Sequence, residues 1–146
     1  MLLITNGTII DPKNHFEGKE DLLIGDDGRI LKRAPSGELS AEHVFDASGC
    51  IVAPGLVDTH SHFRDPGFTY KEDLHTGSLA AAAGGYTSVI LMANTNPPVD
   101  STEILTDILE RGRREQIHIY SAGNVTKGMK GQEVNDLQAL AAAGAP

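Results

Sequence analysis

Two histidines separated by one residue, His60 and His62, have the residue type and spacing best suited to chemistry. Residues two apart on an extended strand project from the same face, so the two imidazoles stand side by side with Cα atoms about 7 Å apart. One metal ion can bridge them, because Zn–N bonds run about 2.0–2.1 Å and each ring extends beyond its Cα. The alternative is a chance pair on a solvated loop. The pair closes an apolar strand that follows Pro54-Gly55, which favours the metal site.

Two charged residues flank the histidines at the same spacing. Asp58 can orient an imidazole through its second ring nitrogen, or it is an ordinary aspartate at a strand end. If the extended conformation continues past His62, the side chain of Arg64 projects from the same face of the strand as the two imidazoles. Its guanidinium then suits a bidentate grip on a substrate carboxylate, and the alternative is a solvent-exposed arginine.

An asparagine, Asn94, ends the next apolar run of the sequence. Its amide can donate to a carboxylate oxygen while accepting from a ring N–H, which fixes orientation without adding charge. The alternative is a capping or turn asparagine before Thr95-Asn96-Pro97. Local sequence leaves both possibilities open.

The elements that must position these residues follow Pro54-Gly55, where strand, loop and helix alternate three times. This order indicates parallel βα units. We predict strands over 56–60, 88–93 and 117–120. We predict helices over about 72–83, from 100 or 101 onward, and over about 133–143. Asp100 and Glu103 form a capping-box-like start for the second helix, and Ile104, Leu105, Ile108 and Leu109 give it one apolar face.

The first fifty residues have a different pattern, with short apolar strands and tight turns. We predict strands over 2–4, 8–10, 22–24 and 29–31, with a hairpin at Gly25-Asp26-Asp27-Gly28, because Asp-Gly between apolar runs is a strong turn signal. The chain is therefore expected to divide into a β-rich subdomain, 1–53, and a βα region, 54–146.

The length of 146 residues limits how much of a barrel this region can form. A closed eight-stranded α/β barrel needs about 250 residues, and three βα units cannot close one. The region is therefore expected to be a partial barrel of strands 1–3 with their helices, truncated before strand 4.

Composition excludes several classes of function. A net charge of -8 and a pI near 5.1 disfavour nucleic acid as a partner, because such binding needs Lys and Arg to neutralise phosphates. No apolar run approaches the length of a membrane span. The single cysteine, Cys50, and an N-terminus without the features of a secretory signal predict a cytoplasmic protein.

Several segments together resemble the dihydroorotase family of cyclic amidohydrolases, over essentially the whole chain. His-x-His-x-Arg at 60–64, Lys71-Glu72-Asp73 and Asn94-Thr95 occur in the family's order and spacing. The run TKGMKGQE, 126–133, is similar to the family's loop after the third strand, and IVAPGLVD, 51–58, matches the wider amidohydrolase pattern.

The resemblance implies a fold and a reaction. The fold is a TIM-type (β/α)₈ metallo-hydrolase barrel preceded by a small β-rich subdomain. The reaction is the zinc-dependent, reversible cyclisation of N-carbamoyl-L-aspartate to dihydroorotate in pyrimidine biosynthesis. By resemblance, His60 and His62 correspond to zinc ligands, with one or two Zn²⁺ per full-length subunit, and Arg64 and Asn94 correspond to residues that hold the substrate carboxylate.

The same resemblance places the remaining ligands and the catalytic group beyond Pro146, so these 146 residues alone are expected to be inactive and to bind metal weakly. It also implies a full-length homodimer that can associate with aspartate transcarbamoylase. Two other interpretations stay open: an allantoinase- or dihydropyrimidinase-like hydrolase, and a non-catalytic partner of aspartate transcarbamoylase. Arg64 argues against the first, because a neutral ring needs no cation, and the retained histidines argue against the second.

Overall fold

The computed structural model describes residues 1–146, which divide into two compact units, Met1–Pro54 and Gly55–Pro146. The first unit contains only β-strands and one short 3₁₀ turn. Its strands are β1 (Leu2–Thr5), β2 (Thr8–Asp11), β3 (Phe16–Lys19), β4 (Asp21–Ile24), β5 (Ile30–Ala34), β6 (His43–Asp46) and β7 (Ile51–Val52). They form one sheet in the order β5-β4-β1-β6 and another in the order β3-β2-β7.

The predicted hairpin of the first unit is confirmed. β4 and β5 pair antiparallel across the turn, where the N–H of Gly28 donates to the carbonyl of Gly25. Gly28 has a φ of 76°, a conformation that glycine adopts without steric cost. Three short strands, β3, β6 and β7, were not predicted. Each has only two to four mostly exposed residues, which is too few to show an alternation of apolar and polar side chains.

The second unit alternates strands and helices along the chain. Its elements are β8 (Leu56–Ser61), α1 (Leu74–Ala83), β9 (Tyr86–Leu91), α2 (Thr102–Gly112), β10 (His118–Ser121) and α3 (Leu137–Ala142). The three strands form one sheet in the order β10-β9-β8, and both pairings are parallel, as predicted. Parallel pairing brings the carboxyl ends of the strands, with the residues that follow them, to the same edge of the sheet.

A single hydrophobic core fills this unit. The apolar face predicted for α2 is confirmed, since Leu105 and Ile108 are buried and Ile104 and Leu109 pack against the core. The buried members come from both the sheet and the helices: Phe63, Leu74, Val89, Leu91, Ala93, Val99, Leu105, Ile108, Ile117, Ile119 and Leu140.

The helices begin later than predicted, because side chains cap them at other positions. Asp73 accepts from the N–H of Thr76 and starts α1 at Leu74, two residues after the predicted start. Ser101 caps α2, while the Asp100 carboxylate accepts instead from the N–H of Gly128, so the Asp100–Glu103 capping box is wrong.

The third helix is shorter than predicted at its N-terminal end. Asp136 accepts from the N–H of Ala139, so α3 starts at Leu137 rather than near 133. The residues before it form a loop closed by the bridge between Thr126 and Val134. None of the three helices is long and apolar enough to cross a membrane.

Candidate metal centre

The end of β8 contains an irregularity at the position of the histidine pair. Asp58 lies opposite Val89 and Ser61 lies opposite Leu91, so β8 has one residue more than β9 over this stretch. Such a bulge bends a strand and redirects its side chains, and bulges are frequent beside active sites. The sequence pattern predicts a regular strand here, and that prediction is wrong.

The imidazoles of His60 and His62 are neighbours despite the bulge. Their ring centroids lie 5.1 Å apart with an angle of 64° between the ring planes, and both side chains are exposed. Two imidazoles bound tetrahedrally to one zinc ion, with Zn–N bonds of about 2.0–2.1 Å, have centroids about 5 Å apart. The observed spacing therefore fits two ligands of one zinc ion.

Asn94 contacts the second of these rings. Its side-chain oxygen lies 3.0 Å from Nδ1 of His62. An amide oxygen can only accept, so this contact is a hydrogen bond when the imidazole carries a proton on Nδ1, and the neutral ring then has its lone pair on Nε2. In that tautomer Nε2 is the nitrogen available to a metal.

Backbone hydrogen bonds fix the two strand ends relative to each other. The N–H of Met92 donates at 2.8 Å to the carbonyl of Ser61, the residue between the two histidines. The carbonyl of Ala93 accepts from the N–H of Val99 at 3.1 Å and from the side-chain nitrogen of Asn124 at 3.3 Å. The backbone on both sides of the histidine–asparagine contact is therefore held in place.

Asp58 does not contact an imidazole. Its carboxylate accepts from the backbone N–H of His60 at 3.0 Å, a bond across the bulge. Of the two possibilities for Asp58, the structure therefore fits the ordinary strand-end aspartate, which supports the backbone, while Asn94 contacts the ring.

Arg64 lies beyond the extended part of the chain. Its φ of 61° is left-handed, so the parity argument that placed it on the histidine face does not hold. The preceding residue, Phe63, is buried against α1, where a Cβ on Gly77 would stand 2.7 Å from the ring. Arg64 is half-buried and takes part in none of the chain's ion pairs.

The residue after Arg64 forms a buried ion pair that the sequence did not reveal. Both carboxylate oxygens of Asp65 accept from the guanidinium of Arg111, at 2.8 and 2.9 Å, and Asp65 is only 5% exposed. These hydrogen bonds raise the pKa of Arg111. The partners lie 46 residues apart, so no local pattern signals the pair.

The loops after β8 and β9 are in close contact. Gly67 has a φ of 90°, and a Cβ there would stand 1.9 Å from the backbone oxygen of Asn96. The N–H of Asn96 donates to the carbonyl of Pro66 at 3.0 Å. Any residue larger than glycine at position 67 would force these loops apart.

The described residues contain no group of three or more His, Cys, Asp or Glu side chains arranged to hold a metal. His75 pairs with Glu115 at 3.0 Å and is 67% exposed. A catalytic zinc site takes about three protein ligands and one open position. His60 and His62 thus fit part of a zinc site.

The sequence matches the profile of the family described as Dihydro-orotase-like over residues 49–146. The dihydroorotase of Streptococcus pyogenes serotype M3 is 52% identical over 145 residues, which cover 99% of this chain and 34% of the relative. The chain therefore spans about a third of the length of the curated relative it matches.

Two solved structures have a similar fold. The L-hydantoinase (dihydropyrimidinase) of Arthrobacter aurescens superposes with a TM-score of 0.73 at 22% identity, over 87% of this chain and 28% of that one. The N-acyl-D-glutamate deacylase of Bordetella bronchiseptica, solved with zinc and a phosphonate inhibitor, gives a TM-score of 0.56 at 27% identity, over 84% and 29%. The family profile covers about two thirds of the chain, from just before the strand of the histidine pair to the last residue. With the fold and the histidine pair described above, it shows that the chain belongs to the dihydro-orotase-like family.

Proposed function

We propose that the protein of the relatives' full length that contains these residues is a zinc-dependent dihydroorotase. It interconverts N-carbamoyl-L-aspartate with dihydroorotate and water, a step of pyrimidine biosynthesis. The observation that carries the proposal is the pair of imidazoles 5.1 Å apart, one of them oriented by Asn94, at the carboxyl edge of a parallel sheet. The identity of 52% to a dihydroorotase supports the choice of substrate.

In this proposal His60 and His62 hold zinc, and the remaining ligands and the catalytic group come from the part of the relatives' length that this chain does not match. Zinc in such a site lowers the pKa of water and polarises a carbonyl, the chemistry that hydrolysis of a cyclic amide needs. The Bordetella deacylase, solved with zinc and a mimic of a tetrahedral intermediate, is consistent with this choice of metal.

Arg64 and Asn94 bind the substrate carboxylate in this proposal. The guanidinium of Arg64 has no ion-pair partner in the chain, and the amide nitrogen of Asn94 keeps its two N–H donors after the oxygen has accepted from His62. A cation together with an amide donor suits an anionic substrate. The two residues would orient the ring without taking part in bond breaking.

The proposed architecture follows from the same family. Residues 1–53 would form the β-rich subdomain and 54–146 the first three βα units of a TIM-type barrel, with later strands supplied by the rest of the full-length protein. A homodimer, alone or with aspartate transcarbamoylase, is the assembly that the family resemblance implies.

The second candidate is a hydrolase of neutral cyclic amides, which the likeness to the Arthrobacter L-hydantoinase would favour. That likeness is at 22% identity and concerns the fold. Arg64 distinguishes the two candidates, because a hydantoin or dihydropyrimidine ring offers no carboxylate for a guanidinium.

The test uses the full-length protein and compares turnover of N-carbamoyl-L-aspartate with turnover of allantoin. We expect turnover of the carbamoyl-aspartate only, and an increase in its KM of about 10- to 100-fold in Arg64→Met, because a charge-assisted pair contributes about 1.5–3 kcal/mol. The matched control is Lys71→Met, an exposed cation in the same loop, which should leave KM unchanged. Preference for allantoin, or an Arg64→Met variant with normal KM, would contradict the proposal.

A further inference from the structure

We propose that Asn94 is a positioning residue for His62, which keeps the proton of the neutral imidazole on Nδ1 and so presents Nε2 to the metal. The inference rests on the proposed function only in taking His62 as a metal ligand. Its basis is the 3.0 Å contact between Nδ1 and the side-chain oxygen of Asn94. A hydrogen bond at the second nitrogen of a ligating histidine fixes both the tautomer and the ring orientation.

The two histidines differ in this respect. The hydrogen bond of His60 to Asp58 is made by its backbone N–H, which leaves the tautomer of its ring unspecified. His62 has a ring partner, contributed by a different strand end. An exposed neutral histidine without a partner favours the Nε2–H tautomer, which has its lone pair on the wrong nitrogen for this site. His62 is therefore preset for binding, while His60 must adjust when the metal arrives.

Asn94 is itself held firmly enough to impose this choice. It is half-buried and follows Ala93, whose carbonyl is fixed by Val99 and Asn124. On its other side the Thr95 hydroxyl donates to the carbonyl of Pro97 at 2.7 Å. No other side chain forms a hydrogen bond with the ring of His62.

The arrangement links the metal to the substrate through one amide group. When the Asn94 oxygen accepts from His62, the amide plane is fixed, and so is the direction of its two N–H donors. Those donors are the ones proposed to meet the substrate carboxylate. A single side chain thus aligns a metal ligand and a substrate contact.

The tautomer can be measured directly by long-range ¹H–¹⁵N correlation spectra of the metal-free, ¹⁵N-labelled 146-residue chain. The spectra are recorded in alkaline buffer, so that the imidazoles are neutral. A His62→Gln variant assigns the signals of His62. We expect the Nδ1–H tautomer at His62 in the natural chain, a shift toward Nε2–H in Asn94→Ala, and the Nδ1–H tautomer again in Asn94→Asp, which keeps an acceptor. Asn96→Ala, an exposed neighbour whose side chain makes no hydrogen bond, is the matched control.

A second readout is the affinity of the chain for Zn²⁺, which should fall about 10- to 100-fold in Asn94→Ala and remain unchanged in Asn96→Ala. An Nε2–H tautomer at His62 in the natural chain, or a tautomer that does not respond to Asn94→Ala in a folded variant, would overturn the inference. If Asn94→Ala fails to fold, the tautomers of His62 in the natural chain and in Asn94→Asp still test the inference. The tautomer is measured without substrate, so a full-length protein inactive on N-carbamoyl-L-aspartate would refute the proposed function and leave this inference standing.

Discussion

Polar side chains lie at or just after the carboxyl ends of all three parallel strands of the second unit, but they are used in two different ways. The first group, which we call the ligand set, is His60, His62 and Asn94. These side chains are exposed or half-buried, and they form the imidazole pair and the amide that contacts it. The second group, the anchoring set, is Asp65, Ser121 and Asn124, all of which are buried. Asp65 and Asn124 bond to distant parts of the same unit, and the Ser121 hydroxyl donates to the carbonyl of the next residue.

The difference shows that position at a strand end does not by itself make a residue functional. Exposure and the identity of the hydrogen-bond partner distinguish the two sets. Ligand-set residues have donors or lone pairs left over for a ligand, whereas anchoring-set residues use theirs on the guanidinium of Arg111 and on backbone carbonyls. Substitutions should therefore separate stability from binding.

The largest loss of stability is expected from Arg111→Met, which leaves the buried carboxylate of Asp65 without its bidentate partner. Removing one member of a buried ion pair costs about 3–5 kcal/mol, and Arg111 is 39% exposed, so solvent screening reduces the expected loss to about 2–3 kcal/mol. Urea unfolding followed by circular dichroism measures it. Arg114→Met, at an exposed arginine two residues after the end of α2, should change the free energy of unfolding by less than about 0.5 kcal/mol. Equal effects of the two variants would contradict the anchoring role of Arg111.

A smaller loss is expected from Asn124→Ala. The side chain donates to the carbonyl of Ala93 at 3.3 Å and is 7% exposed, so its removal takes away a buried hydrogen bond worth about 1–2 kcal/mol. The same urea experiment applies, with Asn96→Ala as an exposed control. A loss below about 0.5 kcal/mol would place Asn124 outside the anchoring set.

A smaller loss of stability than that of Asn124→Ala is expected from Asp73→Ala, because this aspartate caps α1, the helix against which Phe63 packs. The N–H of Thr76 lowers the pKa of Asp73 below its ordinary value of 3.8. The folded chain thus favours the carboxylate, so the cap contributes fully at neutral pH and is lost as the pH falls through the lowered pKa. The difference between natural chain and variant should shrink on acidification below 3.8. A difference that grows there would contradict the account.

The smallest effect on stability is expected in the ligand set. His60→Ala removes an exposed ring with no hydrogen bond to lose, so the free energy of unfolding should change by less than about 0.5 kcal/mol. The same variant should abolish zinc binding. A strongly destabilised His60→Ala would assign the histidine to the anchoring set instead.

The sequence predicted the parts of this picture that depend on local pattern. His-x-His at the end of an apolar strand predicted the neighbouring imidazoles. The contact of Asn94 with one of these rings was not predicted. The alternation of strands and helices predicted the parallel sheet, and Asp-Gly predicted the hairpin between β4 and β5.

What could not be predicted depends on contacts between distant residues. The bulge in β8 arises from its register with β9, and it is within this bulge that Asp58 bonds to the backbone of His60. The left-handed backbone of Arg64 has no signature in its residue type. The position of Asp100 predicted that it caps α2, but its carboxylate accepts instead from the N–H of Gly128, 28 residues later.

The most direct test of the central claim, that His60 and His62 jointly bind one metal ion, is a titration of the 146-residue chain with Zn²⁺ followed by NMR of all six imidazoles. We predict that the signals of His60 and His62 shift together, that those of His15, His43, His75 and His118 do not, and that His60→Ala abolishes the response of His62. A response at the other histidines alone, or an unchanged response of His62 in His60→Ala, would contradict the claim.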